Sequence, residues 1–264
     1  MTGLAVEEKN WTEALDSAKR IVMDFSAHET ADDALERVGS AATIARAWGA
    51  VYESYALLLQ RYPKSPFADA AMVAVAEAQI NTGRGGEAVA MLERFVAANP
   101  NHPETARAWL GLGRARESAG QAAAALEAYG AAIRDARGAA VAREAKAGHA
   151  RILVGEKKWA EARSLLQSLI LDRDANVVAE AAQAIGETYR GEGDALAAAE
   201  YFMTAAYAAP DSPAAEKALL SAAQTLAAAK QTDAAAIVYR KLLAHANLPA
   251  EIADAARQGL SGLR

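Results

Sequence analysis

Apolar side chains recur every three or four residues along most of the chain, which is the spacing of one face of an α-helix. One such face carries Ala88, Leu92 and Phe95. Other segments with the same spacing come directly before such helices in the chain, and two of these segments end at Gly120 and Gly193. Glycine suits the left-handed turn that stops a helix. The pattern therefore predicts pairs of helices joined by short turns.

The pairs recur at a fixed period. Small residues stand where the paired helices should cross, and they are separated by 36 or 37 positions: Val51, Ala88, Ala125, Ala162, Ala198 and Ala235. A period in this range is typical of arrays of helical hairpins. We therefore predict a single array, with an incomplete unit at 1–25, six repeats at about 31–66, 67–103, 104–140, 141–177, 178–213 and 214–250, and a capping helix at 251–264.

The stretch from 108 to 129 contains a Trp, a Leu-Gly pair, a turn glycine, a small crossing residue and an aromatic residue, in that order. In this order it resembles the tetratricopeptide repeat, and so does the stretch from 182 to 210. The resemblance implies an all-α fold, a right-handed α-solenoid of helix-turn-helix repeats. Three positions depart from the family pattern: Arg137 and Asp174 replace a closing proline, and Lys157 replaces the turn glycine.

The connections between repeats are longer than the family usually has, as in the Pro-rich segments 62–66 and 100–103. In this style the chain is similar to bacterial cell-envelope members of the family. These include the lipoprotein subunit of the outer-membrane barrel-assembly machine and the periplasmic coordinator associated with the Tol-Pal system. The resemblance favours a periplasmic or envelope-associated protein, while a cytoplasmic location stays open.

Composition narrows the classes of function. The chain is 53% hydrophobic but only 6% aromatic, and this alanine-rich apolar share suits closely packed helices rather than strands. The formal net charge is -5, and Lys and Arg are scattered singly, so we predict no nucleic-acid partner. No segment approaches 18 uninterrupted apolar residues, which predicts no membrane insertion by this chain.

No pattern in the sequence indicates catalysis. The chain has no cysteine, nucleophile elbow, phosphate-binding glycine loop or paired-histidine zinc motif. The glycine cluster at 83–86 falls at a repeat turn, and His149 has no acidic or histidine neighbour at metal-ligand spacing. The other histidines, His28, His102 and His245, fall in loops or at helix ends. We therefore predict no catalytic residue, no metal and no cofactor.

In this family the first helix of each repeat lines a concave groove that binds peptides, so the resemblance implies a protein or peptide partner. The predicted groove residues are Glu36, Ser40, Val73, Glu77, Arg107, Leu110, Arg114, Arg151, Gln183 and Glu187, followed by Gln224 in the last repeat. None of them is the Lys or Asn with which some members clamp a carboxylate. Arg107, Arg114 and Arg151 form the one cluster of like charge, which would suit an acidic group.

The leading hypothesis is a non-catalytic scaffold that holds a segment of another protein in this groove, in a bacterial envelope assembly. Two alternatives stay open. One is a scaffold that assembles with copies of itself. The other is the binding arm of a larger enzyme whose catalytic domain lies outside this chain.

The two ends of the array differ. At the N-terminal end, an apolar stripe is formed by Trp11, Ala14, Ala18 and Ile21, and the few preceding residues can barely cover it. Either the first turns are built from Leu4, Ala5 and Val6, or the stripe is left open. An exposed apolar patch usually marks a contact. We therefore expect residues 4–25 to contact a partner, a second copy or a further part of a longer parent chain. At the other end, the segment 251–263 should form the capping helix.

Overall fold

The computed structural model describes residues 2–26, 28, 30–135, 138–210 and 212–263. Within these ranges the protein contains fifteen α-helices, one short 3-10 turn and no strand, so the predicted all-α class is confirmed. The chain divides into two compact units, Met1–Ala145 and Lys146–Arg264. We describe each unit by itself, and the expectation of a single array with the repeat bounds given above stays a prediction.

The first unit consists of a short helix, a second helix and then successive helix pairs. Its helices are α1 Thr2–Glu7, α2 Trp11–Asp24, α3 Ala31–Ile44, α4 Trp48–Arg61, α5 Ala68–Asn81, α6 Gly85–Ala98, α7 Thr105–Ser118 and α8 Ala122–Arg134. Each helix packs against the next one along the chain, and α5 also contacts α7. Its apolar cores lie between these helices.

The second unit continues in the same manner. Helix α9, Ala139–Gly155, spans the division between the units. The remaining elements are α10 Trp159–Leu166, the 3-10 turn Gln167–Leu169, α11 Ala175–Glu192, α12 Ala195–Ala208, α13 Pro213–Ala228, α14 Thr232–Leu243 and α15 Ala250–Ser261. Its core runs from α11 to α15, where Ile252 and Ala256 of the last helix are buried.

The paired helices cross at small residues. The predicted crossing positions are fully buried, with no exposed surface: Val51, Ala88, Ala125, Ala162, Ala198 and Ala235. At three of the crossings there is a further contact. A glycine on the first helix of the pair leaves room for an aromatic ring of the second helix. A Cβ atom at Gly39 would lie 2.5 Å from the Tyr55 ring, and one at Gly186 would lie 2.6 Å from the Phe202 ring. No larger side chain fits at these glycines without displacing the ring.

The turn inside each helix pair has the same backbone conformation along the chain. Positive φ angles occur at intervals of 36 or 37 residues, at Lys9, Arg46, Gly83, Gly120, Lys157, Gly193 and Lys230. At Lys157 the flanking N–H groups close a Schellman motif, since Lys157 donates to the Val154 carbonyl and Lys158 to the Leu153 carbonyl. The missing turn glycine therefore does not change the turn, and Lys157 adopts a φ of 58°.

Short side chains and histidines order the loops between pairs. The Nδ1 atoms of His28 and His102 accept the backbone N–H two residues later, at 3.3 and 3.2 Å, and the Ser65 hydroxyl accepts that of Phe67. Asp174, which replaces a closing proline, accepts the N–H of Asn176 at 2.9 Å at the start of α11. Arg137, the other departure from the pattern, lies outside the described residues.

Of the two alternatives for the N-terminal end, the structure shows the covered stripe and not the open one. Ala14 and Ala18 are fully buried, because α1, α3 and α4 all pack against α2. Ala5 on α1 is itself buried and lies in the same apolar core as Ala14 and Ala18, with Val6 packed against that core. Trp11 and Ile21 keep only part of their surface exposed. Contact of residues 4–25 with a partner, a second copy or a longer parent chain stays a prediction. The exposed stripe that motivated this prediction is not present in the structure.

The turn geometry predicts that Lys157→Gly stabilises the protein. A residue with a Cβ atom is strained by about 1 to 2 kcal/mol at positive φ, and glycine relieves this strain at an entropic cost. We expect the free energy of unfolding to rise by about 1 kcal/mol in chemical denaturation. Lys157→Ala is the control, because it removes the same charge and keeps the Cβ atom. Equal stability of the two variants would contradict a left-handed turn at this position.

Candidate protein-binding surface

The first helices of successive pairs, α3, α5, α7, α9, α11 and α13, carry the predicted groove residues. We call the solvent-facing side of these helices the first-helix face. Eight predicted residues keep exposed surface there: Glu36, Ser40, Glu77, Arg107, Arg114, Arg151, Gln183 and Glu187. Val73 and Leu110 do not, because both lie in the core of the first unit with 0% and 4% of their surface exposed. These two residues cannot contact a partner in this conformation.

Arg107 is held by two glutamates. Its Nε and Nη2 atoms donate to the two carboxylate oxygens of Glu77 at 2.7 and 2.5 Å, and Nη1 donates to Glu104 at 3.2 Å. The Glu77 side chain is only 13% exposed, so this bidentate pair is well shielded from water. Burial by itself lowers the pKa of Arg107, but the hydrogen bonds and charges of Glu77 and Glu104 outweigh it and raise that pKa.

Arg114 is paired in the opposite sense. Its Nη2 atom donates to Glu144 on α9, which lies thirty residues later in the chain. In the other pair the order is reversed, because Glu77 comes first and Arg107 follows thirty residues later. Both ion pairs therefore join the first helices of neighbouring pairs, with the signs of the charges exchanged. Arg151 lies exposed on α9 in the second unit. Arg107 and Arg114 are thus each paired with a glutamate, and binding of an acidic group by the three arginines stays a prediction.

A buried tyrosine experiences the same charges. The Tyr55 ring fills the space at Gly39. Burial and then the charge of Glu36 raise the pKa of its hydroxyl to about 12, while the charge of Arg107 opposes them. The tyrosine therefore stays neutral at physiological pH. The first-helix face of the first unit thus carries two ion pairs between neighbouring first helices, Arg107 with Glu77 and Arg114 with Glu144.

In the second unit, Gln183 and Glu187 on α11 are hydrogen-bonded to each other on the first-helix face. The Gln183 amide donates to Glu187 at 3.3 Å, and Glu187 also accepts from Arg190. Beyond these residues, two adjoining clefts share Gln224 on α13. The sequence pattern marked Gln224 as an outward position, but nothing in it indicated that α15 would bring Gln258 to the same cleft.

A metal site would need several His, Asp or Glu side chains close together. Among the described residues, no group of three or more His, Asp and Glu side chains could hold a metal ion. His149 is partly buried, and burial lowers its pKa while Glu161 opposes the shift. Its Nδ1 atom is buried and accepts no hydrogen bond from any described residue. No helix in the described part of the chain combines the length and the apolar character needed to cross a membrane.

Comparison with known proteins supports this description. A model of the YfiO family, described as an outer membrane lipoprotein, matches residues 40–238. None of the curated proteins compared with the chain matches it.

Solved structures with the same fold come from several bacteria, at identities that show the fold alone. The C-terminal part of a TPR repeat-containing protein from Cytophaga hutchinsonii has a TM-score of 0.66 at 11% identity, covering 96% of this chain and 97% of that one. A tetratricopeptide repeat protein from Parabacteroides merdae has a TM-score of 0.61 at 15% identity, covering 98% and 96%. The apo form of the quorum sensor NprR from B. thuringiensis has a TM-score of 0.66 at 14% identity, covering 98% and 78%.

The ion pair between Arg107 and Glu77 predicts that Arg107→Ala is destabilising. The substitution leaves the shielded Glu77 carboxylate without its bidentate partner, which we expect to lower the free energy of unfolding by about 2 kcal/mol after allowance for partial solvent screening. Chemical denaturation measures the change. The control is Arg257→Ala, whose pair with Asp254 has side chains 68% and 75% exposed, so stability should hardly change. Equal losses in the two variants would contradict a stabilising role for the shielded pair.

Proposed function

The chain belongs to the YfiO family of outer membrane lipoproteins, and on that premise we propose that it is a non-catalytic scaffold that holds a segment of another protein against its first-helix face. The fold and the family are generally those of protein-interaction scaffolds. The proposal places the partner in a bacterial envelope assembly.

One observation carries the proposal. Partly exposed side chains recur on successive first helices, as Glu36, Glu77 and Arg114 do, while the helices beneath them pack through fully buried small residues. A surface built on packed helices changes shape little when it binds, so less conformational entropy is lost on association. Such a surface can recognise a segment several repeats long.

The ion pairs of the first unit support the same role. Glu77 with Arg107, and Arg114 with Glu144, fix the positions of side chains that would otherwise be mobile. Fixed charges of both signs give specificity for a complementary partner more than they give affinity. We therefore propose that the first unit selects the partner by its charge pattern.

Site-specific photo-crosslinking tests the proposal. A photoreactive residue is placed at Ser40 or Gln183 on the first-helix face, and for the control at Glu127 or Glu200, which are exposed on the second helices α8 and α12. We expect irradiation in an extract of the source cells to give one discrete adduct with another protein from the first-helix positions. The control positions should give none.

Two results would overturn the proposal. Adducts of equal yield from both sets of positions would mean that the first-helix face is not the binding surface. An adduct formed only between copies of this chain would favour the self-assembling scaffold instead.

A further inference from the structure

Two clefts of the second unit, whose lining residues come mainly from α11, α13 and α15, adjoin at a single residue. One cleft, of about 490 Å³, lies between α11 and α13, and the other, of about 310 Å³, lies between α13 and α15. Gln224 lines both of them. We call the combined site the amide cleft.

The walls of the amide cleft consist mainly of small residues. Ala228 at the end of α13 and Ala229 directly after it line one wall, and Gly259 on α15 and Gly262 directly after α15 line the other. Gly259 is required to be small, because a Cβ atom there would collide with the ring of Tyr239. Small side chains let the backbone of a ligand approach the helices closely.

The amide cleft also holds polar groups that the described residues leave unpaired. The side-chain amides of Gln224 and Gln258 are exposed and make no hydrogen bond within the described part of the chain. Tyr239 also lines the cleft, with only 2% of its surface exposed. Its hydroxyl makes no hydrogen bond with a described residue, and the hydroxyl oxygen keeps a small solvent-accessible surface. A nearly buried hydroxyl at the wall of a cleft favours a ligand that completes its hydrogen bond.

Charge excludes several classes of ligand. Arg190 is the single charged side chain among the described residues that line the cleft, and Glu187 already pairs with it. No carboxylate lines the cleft within the described ranges, so a cationic ligand finds no counter-charge there. A phosphate or an acidic peptide would have to compete with Glu187 for Arg190. The lining therefore favours a neutral ligand with its own donors and acceptors.

A peptide backbone has this chemistry. A glutamine amide carries an N–H donor and a C=O acceptor side by side, so it can pair with both groups of a peptide unit at once. Because Gln224 and Gln258 are neutral, they are dehydrated on binding at a lower cost than charged side chains. We propose that the amide cleft binds the main chain of an extended segment of a partner protein, whose small side chains face Gly259. This inference rests on the proposed scaffold function, and it identifies the subsite that binds the backbone of the partner segment.

A defined peptide tests the inference on the complete chain. A displayed library of random twelve-residue peptides is selected on the immobilised protein, and the most enriched sequence is synthesised with both ends blocked. Its affinity is measured by fluorescence anisotropy for the parent, for the double variant Gln224→Ala with Gln258→Ala, and for Tyr239→Phe, which removes only the hydroxyl. Gln231→Ala is the control, because Gln231 is an exposed glutamine of the same unit outside the cleft. The peptide is also made with single N-methylated peptide bonds.

We expect the double variant to bind about tenfold more weakly, the loss for two hydrogen-bonding amides, and Tyr239→Phe to lose a few-fold. Gln231→Ala should bind like the parent, and N-methylation at one or two central bonds should abolish binding. A peptide that binds all variants equally would overturn the amide cleft and leave the scaffold function intact. If no peptide is enriched at all, both the amide cleft and the proposed function fail.

Discussion

The close crossing of paired helices, where a small residue on one helix admits a large side chain from the other, is the contact on which this protein depends. Gly113 illustrates it, since its missing side chain leaves room for the fully buried Tyr129 ring. The Tyr129 hydroxyl then donates to Glu117 on the same first helix at 2.6 Å. One glycine thus lets a bulky ring be buried while its polar end is still satisfied.

The turns and the binding surface follow from this contact. When two helices cross closely, the turn between them must be tight, and the left-handed residue of the Schellman motif provides it. Where that residue is not glycine it is cationic, at Lys9, Arg46, Lys157 and Lys230. A cation at the C-terminal end of a helix is favoured by the helix dipole. The same crossing fixes the rotation of each first helix, so Glu77 and Arg107 meet across neighbouring pairs.

The sequence predicted the parts of the fold that depend on local spacing. The helix pairs, the buried crossing residues and the turn at Lys157 all follow from a period of 36 or 37 residues. Val73 and Leu110 were misplaced because they lie one turn from outward positions, and the sequence alone does not show how far a helix is rotated into the core. The pairing of Arg107 and Arg114 with glutamates was missed for a similar reason, since Glu77 and Glu144 are each thirty residues from their partners.

The two ends of the chain also show what the repeat pattern alone does not predict. The apolar stripe at Ala14 and Ala18 is covered by a helix of six residues, which is too short for a periodic pattern to reveal. At the other end, the unpaired amides of the amide cleft come from α13 and α15, whose relative position depends on how the last helix packs. Predicting such a site requires tertiary contacts as well as the repeat pattern.

The most direct measurement of the central contact is the stability of Gly113→Leu in chemical denaturation, beside Gly86→Leu. A Cβ atom at Gly86 has no atom within 4 Å, so the same substitution there should leave stability unchanged or slightly raised. Gly113→Leu should lose at least about 1 to 3 kcal/mol, because it overpacks the crossing. Adding Tyr129→Ala to it should cost less than the two separate losses together. Equal stability of Gly113→Leu and Gly86→Leu would contradict the account.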